Sequence, residues 1–258
     1  MKPFRKKNTS WSKVGKWYSK LVGQKGQYFH QSLLIPGFLR LADLKPGSSL
    51  LDLGCGEGVL ARHLPKNVSY LGIDTAKNLV SYAQAKDYSL KRKFQVFDST
   101  KPFNLTDKNF SHAVFMLSLQ NMENVETAIF NAAKHLKENG ILILILNHPC
   151  FRIPRQSGWG IFDKNKLQYR YINRYLSPLK IPINMHPGGK NQKFTWTFHH
   201  PLSFYSLILN KAGFDIEIIE EWTSDKESVG KAAKMENRGR AEIPLFMAIK
   251  AVKIKLST

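Results

Sequence analysis

The chain has 258 residues, a length that suits one large domain. Hydrophobic residues make up 43% and aromatic residues 12%, which excludes a disordered or collagen-like chain. Two cysteines are too few for a disulfide framework or a four-cysteine zinc site. The longest apolar run, at 141–146, is too short to cross a bilayer. A cytoplasmic, reducing compartment fits these features, and the basic, acid-free N-terminus also has the composition of an organellar transit segment.

The net charge of +20 is concentrated in two segments. Residues 1–42 contain nine Lys or Arg and no acidic residue, and residues 147–211 contain ten Lys or Arg and one acidic residue. Basic surfaces attract phosphates, nucleic acids and acidic small molecules. The charge therefore favours an anionic partner, and it does not say which kind.

The predicted elements alternate between helices and strands. The N-terminal part contains a short helix at 10–22 and a helix at 27–44 that Pro36 should kink. Strands are predicted at 48–53, 68–73, 92–97, 112–117, 141–146, 215–222 and 245–253. Further helices are predicted at 59–64, 75–86, 123–138 (ended by Asn139-Gly140), 201–212 and 226–238. This alternation is typical of an α/β fold with a mostly parallel sheet, and the last two strands should pair antiparallel.

Residues 147–200 interrupt the alternation. They are rich in Pro, Gly, Arg and aromatic residues, and Phe194, Trp196 and Phe198 alternate with polar residues. We expect a lid insert that contains short antiparallel strands. The predicted organisation is a basic helical cap at 1–45 and a main domain at 46–258 that carries this insert.

A glycine loop, Asp52-Leu53-Gly54-Cys55-Gly56-Glu57-Gly58, follows the first predicted strand of the sheet and opens a helix. Glycines there let the backbone approach a ligand at the carboxyl end of the strand. The dinucleotide fingerprint G-x-G-x-x-G fails because Val59 takes the third glycine position, and the Walker A pattern is absent. Further polar residues end the next three strands: Asp74-Thr75, Asp98-Ser99 and Leu117-Ser118.

The loop matches the pattern E/D-x-G-x-G-x-G at every defined position. With the three later strand ends, it makes residues 27–150, and 200–253 in outline, resemble the class I S-adenosylmethionine-dependent methyltransferases. The most similar group is the small-molecule, ubiquinone/menaquinone-biosynthesis type. The resemblance implies a Rossmann-like sheet of seven strands, mostly parallel, in the order 3-2-1-4-5-7-6. Strand seven is antiparallel, helices cover both faces, and lids lie at the N-terminus and after strand five.

The resemblance also implies S-adenosylmethionine as the cofactor. Asp74 would bind the ribose hydroxyls and Asp98 the adenine amino group. Leu117 and Ser118 would meet the methionine part, and Tyr28 would lie over the cofactor. The expected cofactor-binding residues are Tyr28, Asp52, Gly54, Cys55, Gly56, Gly58, Asp74, Thr75, Asp98, Ser99, Leu117 and Ser118.

The implied activity is SN2 transfer of the methyl group to a small metabolite, and the charge favours an acidic or phosphorylated one. His148, directly after strand five, is the first candidate for a general base and His199 the second, ahead of His30, His186 and His200. Arg152, Arg155 and Trp196 are candidate substrate-binding residues, and no spacing indicates a metal site.

Two other functions remain open. The basic segments could bind RNA, which would make the protein an RNA (tRNA/rRNA) methyltransferase. Strand four ends in Ser118-Leu119-Gln120-Asn121, however, without the Pro-Cys or Asn/Asp-Pro-Pro-Tyr/Phe motifs of nucleobase methyltransferases. The third hypothesis is a non-catalytic protein that binds the cofactor and interacts with a partner.

Overall fold

The computed structural model describes residues 26–87, 89–106, 109–184 and 194–254. The helix predicted at 10–22 and the candidate base His186 lie outside these residues. Within them, the fold is α/β, with one large sheet and two separate hairpins.

The central sheet has seven strands. In chain order they are β1 (Ser49–Leu53), β2 (Ser69–Asp74), β3 (Arg92–Val96), β4 (Phe110–Met116), β5 (Leu136–Asn147), β10 (Phe214–Trp222) and β11 (Phe246–Lys253), and β6 to β9 lie in the insert. Their order across the sheet is β10-β11-β5-β4-β1-β2-β3. Because β10 and β11 are the sixth and seventh strands of this sheet along the chain, the predicted order 3-2-1-4-5-7-6 is confirmed. Neighbouring strands from β5 to β3 are parallel, and β11 is antiparallel to both β5 and β10.

Helices cover both faces of the sheet, as predicted. They are α1 (Ile35–Ala42), α2 (Lys77–Lys86), α3 (Val125–His135), α4 (Leu202–Lys211) and α5 (Ala233–Glu242). A π-helical turn, His30–Leu34, directly precedes α1, and Pro36 lies in the first turn of α1. Proline is tolerated there because the first backbone N–H groups of a helix have no intrahelical partner. In place of the predicted kink, Pro36 thus marks the boundary between the π-helical turn and α1.

Three predicted boundaries were wrong. Residues 59–64 form turns and a short 3₁₀ helix, Ala61–His63, instead of an α-helix. The helix predicted at 123–138 ends earlier, because residues 136–140 already belong to β5. Asn139 has φ +57°, a value typical of a turn, and the register of β5 against β4 shifts in this region. The last helix spans 233–242 and not 226–238, because residues 223–229 have no regular structure.

β5 shows how the sheet is buried on both faces. Leu142, Leu144 and Leu146 pack into one hydrophobic core with α3 and α4. Ile143 and Ile145 pack into the other core, with α1 and the residues after β1. Successive side chains of a strand point to opposite faces, so a continuous apolar strand is needed where both faces are covered.

The insert folds as two antiparallel hairpins, as predicted. β6 (Ser157–Phe162) pairs with β7 (Leu167–Ile172), and β8 (Leu179–Asn184) pairs with β9 (Phe194–His199). Neither hairpin joins the central sheet. The insert leaves β5 and returns to α4, so it starts at the carboxyl edge of the parallel strands.

Candidate functional site

The glycine loop turns sharply at the carboxyl end of β1. Gly54 has φ +83° and Gly56 has φ +55°, a left-handed backbone region that glycine adopts without strain. A Cβ on Gly54 would lie 2.5 Å from Cβ of Ser118, so the loop packs directly against the end of β4. A Cβ on Gly56 would meet no atom within 4 Å. The backbone at Gly56 therefore borders open space.

The carboxylate of Asp74 connects this loop to β2. Its Oδ2 accepts a hydrogen bond of 3.0 Å from the N–H of Gly56, and its Oδ1 accepts one of 2.8 Å from the N–H of Ala76. Burial raises the pKa of Asp74, and the backbone hydrogen bonds oppose that effect. An ionised carboxylate has about four acceptor positions, so these two bonds leave room for hydroxyl groups of a ligand.

Asp52 lies beneath the loop and is bound by a tyrosine that the sequence analysis missed. The hydroxyl of Tyr70 donates a hydrogen bond of 2.7 Å to Oδ2 of Asp52, and both side chains are buried. Burial raises the pKa of Asp52 to about 7, although the tyrosine hydrogen bond lowers it. Gly72 leaves room for this arrangement, because a Cβ there would lie 2.7 Å from the Tyr70 hydroxyl and 2.8 Å from Sγ of Cys55.

The ends of β3 and β4 complete the edge. Oδ1 of Asp98 accepts hydrogen bonds from the N–H and the hydroxyl of Thr100, and Lys101 forms an ion pair with Oδ2 at 3.2 Å. Burial raises the pKa of Asp98, but its bonds to Thr100 and Lys101 outweigh this and lower it. The hydroxyl of Ser118 donates a 2.6 Å hydrogen bond to the carbonyl of Leu53, which joins the ends of β4 and β1.

These strand ends form one wall of a cavity of about 1060 Å³. The structure thus brings together most of the predicted site. The residues that line the cavity include Asp52, Gly54, Cys55, Gly56, Asp74, Thr75, Asp98, Ser99, Leu117, Ser118 and Trp196.

The β8–β9 hairpin and the segment after β4 form the opposite wall. Lys180 of β8 forms a 2.6 Å ion pair with Glu123, and the hydroxyl of Thr197 donates a 3.4 Å bond to the side chain of Asn121. The cavity therefore lies between the sheet edge and the insert. Nothing in the sequence pattern identified Lys180 or Glu123, because only the fold brings them together.

Two further polar residues that line the cavity each have one buried side-chain atom without a hydrogen-bond partner among the described residues. These atoms are Oε1 of Gln120 and Nδ1 of His30. Burial and the nearby His63 lower the pKa of His30 to about 4, so its ring is neutral at pH 7. Of the candidate bases in the described residues, His30 is the one that lines the cavity.

His148, the first candidate base, lies outside the cavity wall. Its Nε2 is 2.7 Å from Oε1 of Glu221, and its Nδ1 accepts a hydrogen bond of 3.2 Å from the N–H of Cys150. Burial lowers its pKa, and Glu221 opposes that effect. Because both ring nitrogens are occupied, the structure departs from the expectation that His148 accepts a proton from a substrate.

His199 also lies outside the wall, since its Nε2 donates a 2.7 Å hydrogen bond to the carbonyl of Tyr175. This bond fixes the ring within the insert. His200 stacks on Phe204, with ring centres 4.0 Å apart. The predicted cofactor residues Tyr28 and Gly58 are not in the wall either.

The predicted substrate residues Arg152 and Arg155 lie outside the wall, and the structure assigns Arg152 a different neighbour. Its guanidinium lies 5.0 Å from the ring centre of Phe246, and burial and the charge of Arg170 lower its pKa. Arg170 donates to the carbonyl of Phe151 and to the hydroxyl of Ser157. Among the described residues, neither Arg152 nor Arg170 forms an ion pair with a carboxylate.

The cavity fits S-adenosylmethionine. Asp74 offers acceptor positions for ribose hydroxyls, Gly56 leaves space beside the backbone, and the free Oε1 of Gln120 can accept a hydrogen bond from a ligand. Within the part of the chain that is described, no three His, Cys, Asp or Glu side chains are grouped so that they could hold a metal ion. No helix in that part has the length and apolar character needed to cross a membrane.

Comparisons with known proteins agree with this assignment. Residues 51–144 match the family model of a methyltransferase domain. The chain is similar to phosphoethanolamine N-methyltransferase 3 of Arabidopsis thaliana, with 38% identity over 81 residues, 29% of this chain and 16% of that protein. It is also similar to the ubiquinone biosynthesis O-methyltransferase of Rickettsia conorii, with 29% identity over 96 residues, 37% of this chain and 33% of that protein. The match thus covers a third or less of either relative.

Solved structures share the fold. An S-adenosylmethionine-dependent methyltransferase from Mesorhizobium loti superposes with a TM-score of 0.66 at 23% identity, over 86% of this chain and 99% of the other. One from Clostridium acetobutylicum has a TM-score of 0.59 at 18% identity, over 95% and 99% of the two chains. At these identities the likeness concerns the fold.

Proposed function

We propose that the chain is a class I S-adenosylmethionine-dependent methyltransferase, and that it transfers a methyl group to a small metabolite that carries an acidic group. One observation carries the proposal. A single cavity of about 1060 Å³ joins the glycine loop and Asp74 to the β8–β9 hairpin. It thus offers a cofactor wall and a second wall for an acceptor molecule.

S-adenosylmethionine, when bound, supplies a methyl group on a positively charged sulfur that an electron-rich acceptor atom can attack. Asp74 and the backbone at Gly56 would hold the ribose side of the cofactor. Ser118 fixes the end of β4 against β1, so the two strand ends keep one geometry. The protein's main contribution is then alignment of the reacting groups, which can account for a large part of such a rate enhancement.

The hairpin would exclude water and contact the acceptor. Trp196, Phe198 and Ile183 give this wall an apolar surface, and Thr195 and Thr197 add hydroxyl groups. A wall of this mixed kind is typical of small-molecule sites. His30 is the candidate base that lines the cavity, and its lowered pKa makes it a weak base, so an acceptor that reaches the site already deprotonated suits it best.

The acidic character of the acceptor is supported by Arg152 and Arg170, which lie outside the cavity wall but belong to the insert whose β8–β9 hairpin lines the cavity. Both guanidiniums are partly buried without a carboxylate partner in the described residues, and burial disfavours an uncompensated charge. An anionic group would supply the missing partner. The chain is similar to proteins named as phosphoethanolamine, tetrahydroprotoberberine and ubiquinone-biosynthesis methyltransferases, and these names support a small-molecule acceptor.

Methyl-labelled S-adenosylmethionine tests the proposal. The purified protein is incubated with the labelled cofactor and an extract separated into small-molecule, lipid, protein and RNA fractions. We expect label in the small-molecule fraction, and we expect that fraction to bind an anion-exchange resin. Label confined to RNA would instead identify an RNA methyltransferase. Cofactor binding with no label in any fraction would indicate a non-catalytic protein.

A further inference from the structure

A lysine ammonium in the cavity wall lies among two aromatic rings and a carboxylate. Nζ of Lys180 is 5.2 Å from the ring centre of Trp196, 5.5 Å from that of Phe198 and 2.6 Å from Oε1 of Glu123. All four residues line the cavity. We call Trp196, Phe198 and Glu123 the cation cage.

We propose that the cation cage binds a cationic amine group of the acceptor molecule, and that Lys180 fills the cage when no acceptor is present. This rests on the proposed function, because it takes the cavity as the acceptor site. The chemistry is specific for a cation. The faces of aromatic rings attract ammonium groups, and a carboxylate adds a charge-assisted hydrogen bond. A neutral or purely anionic group would gain neither interaction.

The geometry explains how the cage is built. In the β8–β9 register, Lys180 pairs with Phe198, and Trp196 is two residues from Phe198 on the same strand. All three side chains therefore project from one face of the hairpin. Glu123 follows β4 and lies beside the hairpin in the same wall of the cavity. An amine in the cage would contact both the hairpin and the body of the domain.

The side chain of Lys180 is able to move out of the cation cage. The Lys180 and Glu123 side chains are 44% and 69% exposed, and exposed ion pairs contribute little to stability. Lysine also carries its charge on a flexible stem of four carbons. The hairpin itself does not depend on this ion pair, since Ile181 and Thr195 are buried at 6% and 3% exposure.

The cage lies at the carboxyl edge of the sheet, because Glu123 follows β4 and the insert that carries the hairpin follows β5. The substrate class that we infer is therefore an acceptor that carries a cationic amine in addition to the acidic group of the proposed function.

Methylammonium chloride, whose cation can donate a hydrogen bond, is the probe that tests the cage, with sodium chloride of equal ionic strength as the blank. Its binding is followed by tryptophan fluorescence, and Trp196→Phe identifies the part of the signal that comes from the cage. We expect saturable binding to the wild-type protein. We expect Lys180→Met to bind the probe about tenfold more tightly, because the resident cation is gone. We expect Glu123→Gln to bind it more weakly than the wild type.

Lys164→Met is the matched control, because Lys164 lies between β6 and β7 in the other hairpin and outside the cavity wall. It should leave probe binding unchanged. Equal probe affinity in Lys180→Met, Lys164→Met and wild type would overturn the proposal and make Lys180 a packing residue of the hairpin. Lys180→Gln is a second variant in case Lys180→Met does not fold.

S-adenosylhomocysteine binding, measured by calorimetry on the wild type, separates the two proposals. If S-adenosylhomocysteine binds and the probe does not, the cation cage is wrong and the proposed function stands. If S-adenosylhomocysteine itself fails to bind, the proposed function fails.

Discussion

At the scale of single residues, Asp74 has the largest predicted effect on cofactor binding. Its carboxylate accepts from Gly56 and Ala76 and leaves further acceptor positions toward the cavity. Asp74→Asn removes the charge and places an N–H₂ group where acceptors are needed. We expect S-adenosylhomocysteine to bind about 10- to 100-fold more weakly, the range for loss of charge-assisted hydrogen bonds.

Calorimetric titration measures this effect directly. Asp43→Asn is the control, because Asp43 is an exposed acid that pairs with Lys45 away from the cavity. Wild-type affinity in the Asp74→Asn variant would show that the carboxylate does not contact the cofactor.

Asp52 should make stability depend on pH. Its pKa is raised to about 7 in the folded protein, mainly by burial, and an unfolded aspartate has a pKa near 3.9. Between these two values the folded state retains a proton that the unfolded state has released. The contribution of Asp52 to the free energy of unfolding therefore falls as pH rises from about 4 to about 7, by a few kcal/mol in all.

Urea unfolding of the wild type and of Asp52→Asn at several pH values isolates this contribution, since the other titrating groups are common to both. We expect the wild type to lose stability relative to the variant across this window. Parallel pH curves would mean that Asp52 is ionised in the folded protein.

The residues of the loop and of the strand ends could be predicted from the sequence because they are local features. A polar residue at the end of each parallel strand lies at a common edge whatever the details of packing. The Tyr70–Asp52 bond could not be predicted in this way, because it depends on which side chains of β1 and β2 meet. The partner of His148 could not be predicted for a related reason: Glu221 reaches it from β10 and lies 73 residues further along the chain.

At the scale of elements, substitutions at three glycines with positive φ distinguish an effect on the free energy of unfolding from an effect on cofactor affinity. Gly54→Ala should lower the free energy of unfolding by about 2 kcal/mol or more, because its Cβ would lie 2.5 Å from Ser118 in a strained backbone region. Gly56→Ala should cost only about 1 kcal/mol for its backbone conformation. Its methyl group would enter the cavity, so the affinity for S-adenosylhomocysteine should fall.

Gly47→Ala is the matched control for these two variants. Gly47 has φ +87°, meets no atom within 4 Å of an added Cβ and lies outside the cavity wall. It should share the conformational cost of Gly56→Ala without the loss of affinity, which chemical unfolding and calorimetry would show. Equal affinities for the Gly56 and Gly47 variants would mean that the cofactor does not approach the loop backbone.

Strand–helix alternation was enough to predict a mostly parallel sheet, because right-handed crossovers allow few arrangements, and the resemblance to the methyltransferase family supplied the strand order. The start of β5 was not predictable. Asn139-Gly140 is an ordinary signal for the end of a helix, and only pairing with Phe110 of β4 draws residues 136–140 into the strand. Likewise, the polar sequence at 226–242 has no apolar stripe to mark where α5 begins.

At the scale of the whole molecule, positive charge is only partly neutralised. Arg152 and Arg170 lack a carboxylate partner among the described residues, and the charge of Arg170 contributes to the lowered pKa of Arg152. We expect sulfate to raise the melting temperature of the wild type more than that of Arg170→Gln, with sodium chloride at equal ionic strength as the reference. The physical reason is binding of the anion by the folded state alone.

Lys164→Gln provides the comparison for a simple loss of charge, since Lys164 is exposed and unconnected to this cluster. It should keep the full response of the wild type to sulfate. The same response in Arg170→Gln would show that the two arginines do not share an anion.

The described residues of the insert, 148–184 and 194–200, form their own two-stranded sheets and contribute no strand to the central one. The strand order, both hydrophobic cores around β5 and the glycine loop can therefore stay constant while the hairpins change in length and sequence. Exchanging residues 148–200 for the corresponding segment of a relative is then a graft between two fixed points, the end of β5 and the start of α4. Such chimaeras offer evolution, and the protein engineer, a way to replace the acceptor while keeping the cofactor.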